Sequence, residues 1–445
     1  MDTIIQNAII VNEGTLNEGS LRIHNGRIES IQRKPFANTQ GCETVDGTGC
    51  YLLPGVIDTH VHFRDGGDSN NPAGDFVTES RAALAGGVTS VIDMPNTQPE
   101  TTMLHHLEVK EQMAASRSAV NYGFMLGATN DNIDDLLAIA PTRYAAIKLF
   151  LGSSTGNMLV NEEEKLEKLF ANAQKLIVAH CEEEAIVQAN MLNFKLECQG
   201  TDKETAALHP QIRNTEACYL STYKAIARAR RLGTRLHIAH ISTATELNLL
   251  SNQDLTKKHI TAEVTPNHLW YDSRDYADMG NRIKCNPAIK SNDDRIALWA
   301  ALYDGLIDTI ATDHAPHPLS AKEKPYFDAP SGIPSIQHSL TMMLEPLWNN
   351  TEGGTELIEE WLPLIVTKMC HNPATLFGIC DRGFVRPGYH ADLVLVRPLP
   401  DGERVTRDKL YYKCGWSPLE GKTFHSHIER VWVNGGQGAQ ALEYR

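Results

Sequence analysis

The sequence predicts an α/β protein built on a (βα)8 TIM-type barrel. Three observations predict it. Eight short apolar runs follow one another through the middle of the chain, longer helix-like stretches separate most of them, and reactive side chains gather at the ends of the runs.

The first fifty residues read as short strands. IIQNAIIV and SLRIHNGRIESI alternate around Glu-Gly and Asn-Gly turn signals, and the last sixty residues read similarly, with DLVLV (392–396) and IERVWVNGG (428–436). Between them lie the eight runs: 55–62, 90–96, 120–128, 144–151, 175–180, 235–240, 261–266 and 308–314. Helix-like stretches at 75–87, 104–117, 131–140, 162–174 and 217–233 supply crossovers. Eight strands with intervening helices is the count for a closed barrel. An open doubly wound sheet is the rival, and it is disfavoured because the chemistry below needs strand ends that converge on one point.

Composition narrows the class. The 445 residues are 42% hydrophobic, enough for a large core, and no low-complexity tract stands out. A formal net charge of -14 argues against a nucleic-acid partner, which would need a basic face. The nine cysteines are dispersed without a C-x-x-C pair, which suggests reduced thiols. The first residues lack the basic start and apolar stretch of a signal peptide, and no run reaches the roughly 18 apolar residues of a membrane span. A cytoplasmic enzyme with no membrane partner is expected.

Barrel active sites form at the carboxyl ends of the strands. Run 1 ends in His60-Val61-His62, and alternation along a strand points both imidazoles the same way. Run 4 carries Lys148, run 5 ends at His180, run 6 at His240, and run 8 carries Asp313. Four imidazoles and a carboxylate on one rim suit Zn2+ or a similar divalent ion. Lys148 interrupts an apolar run, and a buried lysine is rare without a partner. In a two-metal site its amine can be carboxylated to a bridging carbamate. His237 has parity opposite to His240 and is expected to face the helices as a structural residue.

The motifs PGVIDTHVHFRD (54–65), MPNT (94–97), IKLFL (147–151), VAHCE (178–182), HIAHIST (237–243), EVTPNHL (263–269) and ATDHAPH (311–317) resemble the cyclic amidohydrolases of the amidohydrolase superfamily. The resemblance covers nearly the whole chain. It implies a barrel over 54–384 and a small β-sandwich domain composed of 1–53 and 385–445. It implies that His60, His62 and Asp313 hold one metal, that His180 and His240 hold another, and that carboxylated Lys148 and a hydroxide bridge the two, most simply as Zn2+.

Within that group the chain is most similar to the dihydroorotase branch rather than to allantoinases or hydantoinases. Arg64 lies two residues past His62, where a planar guanidinium suits a substrate α-carboxylate. His317, Asn96 and Asn286 match substrate contacts of that branch, and the backbone around Ser331 and Gly332 would face the pyrimidine ring. The implied reaction is the reversible cyclisation of N-carbamoyl-L-aspartate to L-dihydroorotate plus water, in pyrimidine biosynthesis, with Asp313 as proton carrier. One departure is Arg64-Asp65-Gly66-Gly67, where many relatives have a proline, so this loop is expected to be looser. The loop 152–158 is expected to be a lid, with Ser154 or Thr155 near the substrate. An inactive scaffold relative is disfavoured because all six ligand positions are filled. A homo-oligomer or a pyrimidine-pathway partner enzyme is left open.

Overall fold

A computed structural model describes residues 2–67, 71–152, 158–197, 200–348 and 354–445. Ser154 and Thr155, the expected lid residues, lie outside the described residues.

The chain opens with β1 (Asp2–Asn12), β2 (Thr15–His24), β3 (Arg27–Gln32), β4 (Cys42–Asp46) and β5 (Tyr51–Pro54). The first two hairpins turn through Glu13-Gly14 and Asn25-Gly26, whose φ angles are 49°, 78°, 49° and 76°. Two-residue hairpins of this kind take positive φ at both central positions to match the strand twist, and glycine takes it without a Cβ clash.

The barrel strands follow. They are β6 (Val56–Val61), β7 (Val88–Asp93), β8 (Asn121–Phe124), β9 (Leu126–Gly127), β10 (Ile147–Phe150), β11 (Ile177–His180), β12 (Leu236–Ile238), β13 (Ile260–Val264) and β14 (Thr309–Ile310). β8 and β9 are two parts of the run at 120–128, interrupted at Met125, so the expected eight strands are all present. Every pairing among them is parallel. The ring closes where Val61 bridges His314 and the His62 amide donates to the His314 carbonyl at 2.7 Å. All residues of β6, β7, β8, β10, β11 and β12 are buried, as expected of parallel strands covered on both faces.

The crossover helices form where the sequence places them: Phe76–Ala85, Leu104–Arg117, Ile133–Ala138, Glu163–Asn172 and Thr215–Leu232. The longest shows why. The Asn214 side chain accepts from the Ala217 amide at its start, and Gly233 ends it at φ 73°.

The last strands, β15 (Leu393–Arg404) and β16 (Thr423–Trp432), return to the first sheet, whose order is β16-β15-β5-β1-β2-β3 with β4 on β1. Ile5, Leu21, Ile23, Leu52, Leu393, Leu395 and Trp432 pack together under it. Both chain ends therefore share one sheet, and Gly55 marks the passage from that sheet into the barrel. A Cβ there would lie 2.0 Å from Thr89 Oγ1, so only glycine fits. None of the described cysteines is paired, and no helix among the described residues is long and apolar enough to cross a membrane.

Candidate metal centre

The carboxyl ends of the barrel strands bring the expected residues to one place. One ligand atom from each of His60, His62 and Asp313 lies within 4.8 Å of the others. His60 Nε2 and His62 Nε2 approach the same Asp313 oxygen at 3.3 and 3.0 Å. Ring centroids link the other two histidines to this group: His60 to His240 at 5.3 Å and His180 to His240 at 4.8 Å.

Hydrogen bonds fix which nitrogen each imidazole offers. His60 Nδ1 sits 2.7 Å from Glu263 Oε1, and a carboxylate can only accept, so the proton is on Nδ1 and the Nε2 lone pair is presented. His62 Nδ1 is 2.7 Å from Asn96 Oδ1, with the same result. His180 is turned the other way. Its Nε2 donates to Glu182 Oε2 at 2.9 Å, leaving Nδ1 to face His240 Nε2 at 3.0 Å. Glu182 is itself held by Arg213. Three nitrogens of ε type and one of δ type thus converge with the Asp313 carboxylate, a donor set suited to divalent ions.

Burial keeps the imidazoles of His62, His180 and His240 neutral. It pushes His62 down to about 3 against the opposing pull of Asp313, and it lowers His180 and, more strongly, His240. Burial would raise the carboxyl of Asp313, but the neighbouring His60 and His62 outweigh it and hold that carboxyl below its usual range. Glu182 follows the same logic, held down to about 2 chiefly by Arg213 despite its burial.

Lys148 is fully buried, and its Nζ has no hydrogen-bond partner among the described residues. The amine lies 5.1 Å from the centre of the Phe150 ring. Burial lowers its pKa to about 8, so a neutral, nucleophilic amine is accessible near neutral pH. An orphan, fully buried amine at this rim has the chemistry to be carboxylated into a further oxygen ligand.

Three residues at this rim hold left-handed backbone: Arg64 at φ 63°, His240 at 39° and Asp313 at 48°. Such angles are costly for non-glycine residues and collect at functional sites. His240 lies two residues past the end of β12 and Asp313 three past β14, so these turns, not regular strand, aim the two side chains. Asp58 braces one of them. It accepts from the His60 amide at 3.2 Å, the Thr312 amide at 3.1 Å and the Thr312 hydroxyl at 2.6 Å, tying β6 to the segment that carries Asp313.

The remaining expected residues surround this cluster. Arg64 is half-buried, and its Nε is buried with no partner among the described residues. The carbonyl oxygen of Asn96 is engaged by His62, so Asn96 orients an imidazole directly. Asn286 precedes a cis peptide bond to Pro287, and its Oδ1 is buried without a partner among the described residues. His317 Nε2 donates to the Ser331 carbonyl at 3.0 Å, and burial holds this imidazole neutral, with a pKa of about 2. Gly332 has φ 139°, and a Cβ there would lie 2.3 Å from the Ala315 carbonyl oxygen. His237 keeps the structural place its parity implies, bonded to Thr261 Oγ1 at 2.8 Å and packed edge-on to Phe377.

Sequence reasoning missed the acidic residues behind the ligands. Glu263 interrupts the apolar run 261–266 much as Lys148 interrupts 144–151, and that signal was available. Glu182 lies two residues past His180 inside a quoted motif, but its role depends on Arg213, a distant loop residue.

A family model described as "Amidohydrolase family" matches residues 51–437. The chain is 32% identical over 433 residues to a dihydroorotase of Methanosarcina acetivorans, covering 94% of this chain and 88% of that one. It is 28% identical over 434 residues to an allantoinase of Streptomyces avermitilis, covering 96% and 93%. The solved L-hydantoinase of Arthrobacter aurescens superposes with a TM-score of 0.88 at 25% identity over 99% of each chain.

Proposed function

The chain belongs to the amidohydrolase family and is a cyclic amide hydrolase, and from that premise we propose that it interconverts L-dihydroorotate and N-carbamoyl-L-aspartate in de novo pyrimidine biosynthesis. The observation that carries the choice of substrate is Arg64. Its guanidinium stands beside a cluster that handles neutral amides, with a buried Nε that lacks a partner among the described residues. Dihydroorotate has a carboxylate to offer there, and hydantoin and allantoin rings do not. The similarity to archaeal dihydroorotases supports the same reading.

In this reading His60, His62 and Asp313 would hold one divalent ion and His180 and His240 a second, carboxylated Lys148 would serve as a ligand shared by both, and Zn2+ would be the ion. Such a pair, when bound, makes water a nucleophile near neutral pH and polarises the amide carbonyl. The chain's own residues do the rest. Arg64, Asn286 and His317 bind the carboxylate and ring edge, with Asn96 contributing beside His62, and the backbone of Ser331 and Gly332 faces the ring. In hydrolysis the Asp313 carboxylate takes a proton from the attacking water and delivers it to the leaving ring nitrogen. In cyclisation the same proton travels back and water is released. The residues 1–53 and 385–445 form a composite β-sandwich domain beside the barrel of 54–384, an assignment supported by their shared sheet and apolar core.

The test is turnover by zinc-replete protein on L-dihydroorotate, with allantoin and hydantoin in parallel. Hydrolysis of L-dihydroorotate in clear preference to the others is expected. Hydrolysis of the neutral rings alone would reassign the substrate and leave the metal centre standing. The likeness to the solved L-hydantoinase makes that the second reading to be tested.

A further inference from the structure

Two buried lysines stand behind the substrate face of the site, and neither belongs to the metal cluster. Lys322 Nζ donates to three backbone carbonyls, those of Lys284 at 3.1 Å, Pro330 at 2.9 Å and Gly332 at 2.8 Å. Lys284 Nζ donates to the carbonyls of Tyr326 at 2.7 Å and Ala329 at 2.6 Å, and lies 4.2 Å from the centre of the Tyr326 ring. Neither amine forms a salt bridge among the described residues, although the Asp328 carboxylate acts on Lys284 through its field.

The geometry is a reciprocal brace. Lys322, at the end of the short helix Leu319–Lys322, reaches the chain at 284 and at 330–332. Lys284 reaches back into the segment between them. The Gly332 amide completes the loop by donating to the Lys284 carbonyl at 2.8 Å. The braced segments are the ones that carry Asn286, Ser331 and Gly332, and Ser331 in turn accepts from His317. Burial lowers Lys322 to about 7, with Lys284 adding to the fall, and lowers Lys284 to about 8, with Arg213 adding, so the pair keeps part of its positive charge near neutral pH. Its field reaches the site, since Arg64 and Lys322 add to burial in keeping His317 neutral.

We propose that Lys322, acting with Lys284, is a positioning residue for an anionic substrate: it fixes the loops that contact the ring and carboxylate and supplies positive potential behind them. The proposal rests on the carboxylated substrate proposed above.

The experiment compares zinc-replete wild type with Lys322→Met, which keeps most of the stem and removes the charge. KM and kcat for L-dihydroorotate are measured alongside zinc content. About a tenfold rise in KM is expected, with kcat within about threefold of wild type and zinc content unchanged, because loosened loops would hold the ground state and the transition state equally less well. A variant with wild-type KM, or one that loses kcat or zinc while KM holds, overturns the proposal. If Lys322→Met yields no folded protein, Lys284→Met takes its place, with a rise in KM of several-fold expected and an unchanged KM overturning the idea. Wild type with no turnover of L-dihydroorotate would overturn the substrate reading and this proposal together, whereas an active wild type beside an unaffected variant overturns this proposal alone.

Discussion

The site has two walls, and they are built on opposite electrostatic plans. Behind the metal wall stand carboxylates: Glu263 on His60, Glu182 on His180, and Asp58 on the His60 amide. Behind the substrate wall stand ammonium groups, Lys284 and Lys322, each spent on backbone carbonyls. The difference follows from what each wall faces. Histidines that bind cations gain basicity from an anion on their far nitrogen. A wall that receives an anion gains from cations behind it. The metal wall also stands largely on strands and strand ends, whereas the substrate wall stands on long loops, so the second needs internal bracing that the first obtains from the barrel ladder.

The largest effect should come from the one side chain that serves both chemistry and metal. Asp313→Asn removes the proton acceptor and weakens a ligand, and turnover should fall by about 10³-fold or more. Steady-state kinetics with metal content measured on the same sample checks this. Near-wild-type turnover in a metal-replete variant would remove Asp313 as proton carrier.

The carboxylate plan of the metal wall is tested next by Glu263→Gln. The substitution keeps shape and removes the charge behind His60, and metal affinity should drop about 10–100-fold. Competition with a chelator measures the affinity. An unchanged value would mean that the carboxylate only packs the barrel interior. The substrate wall has the matching test in Arg64→Met. Loss of a charged hydrogen bond of about 1.5–3 kcal/mol should lower kcat/KM for L-dihydroorotate about 10–100-fold, with metal content intact. An equal loss of bound metal would move Arg64 from the substrate wall to the metal wall.

The two walls were not equally legible in the sequence. His60, His62, Lys148, His180 and His240 announce themselves because polar residues break or end apolar runs, and period-two alternation tells which pair shares a face. Glu263 breaks a run too, but its partner His60 is 203 residues away, and no local pattern encodes that pairing. Lys284 and Lys322 give no signal at all. A lysine outside any apolar run reads as solvated, and only the fold of 284–332 buries these two. The terminal sheet shows the same contrast. Its hairpin turns were legible from Glu-Gly and Asn-Gly, yet β15 and β16 run well past the apolar cores at 392–396 and 428–436. Their extensions carry Glu403, Arg404, His425 and His427, and pairing across the hairpin, not side-chain patterning, makes them strand.

The smallest expected effect isolates the loop-built wall from the strand-built one. Gly332→Ala adds a single methyl group at φ 139°, a conformation that alanine resists, and places it 2.3 Å from the Ala315 carbonyl and 2.9 Å from the His317 ring. The carbonyl belongs to backbone and cannot swing aside, so the loop must shift. The cost should be about 1–3 kcal/mol of stability, from strain and overpacking together. Because Gly332 also supplies a carbonyl to Lys322 and an amide to Lys284, the shift loosens the brace and should raise KM several-fold. The metal wall shares no hydrogen bond with this residue, so zinc affinity should stay at the wild-type value. Thermal denaturation, KM and chelator competition on one preparation read all three. A loss of zinc affinity equal to the rise in KM would show that the two walls are mechanically one, and that the contrast between carboxylates and ammonium groups does not divide the site.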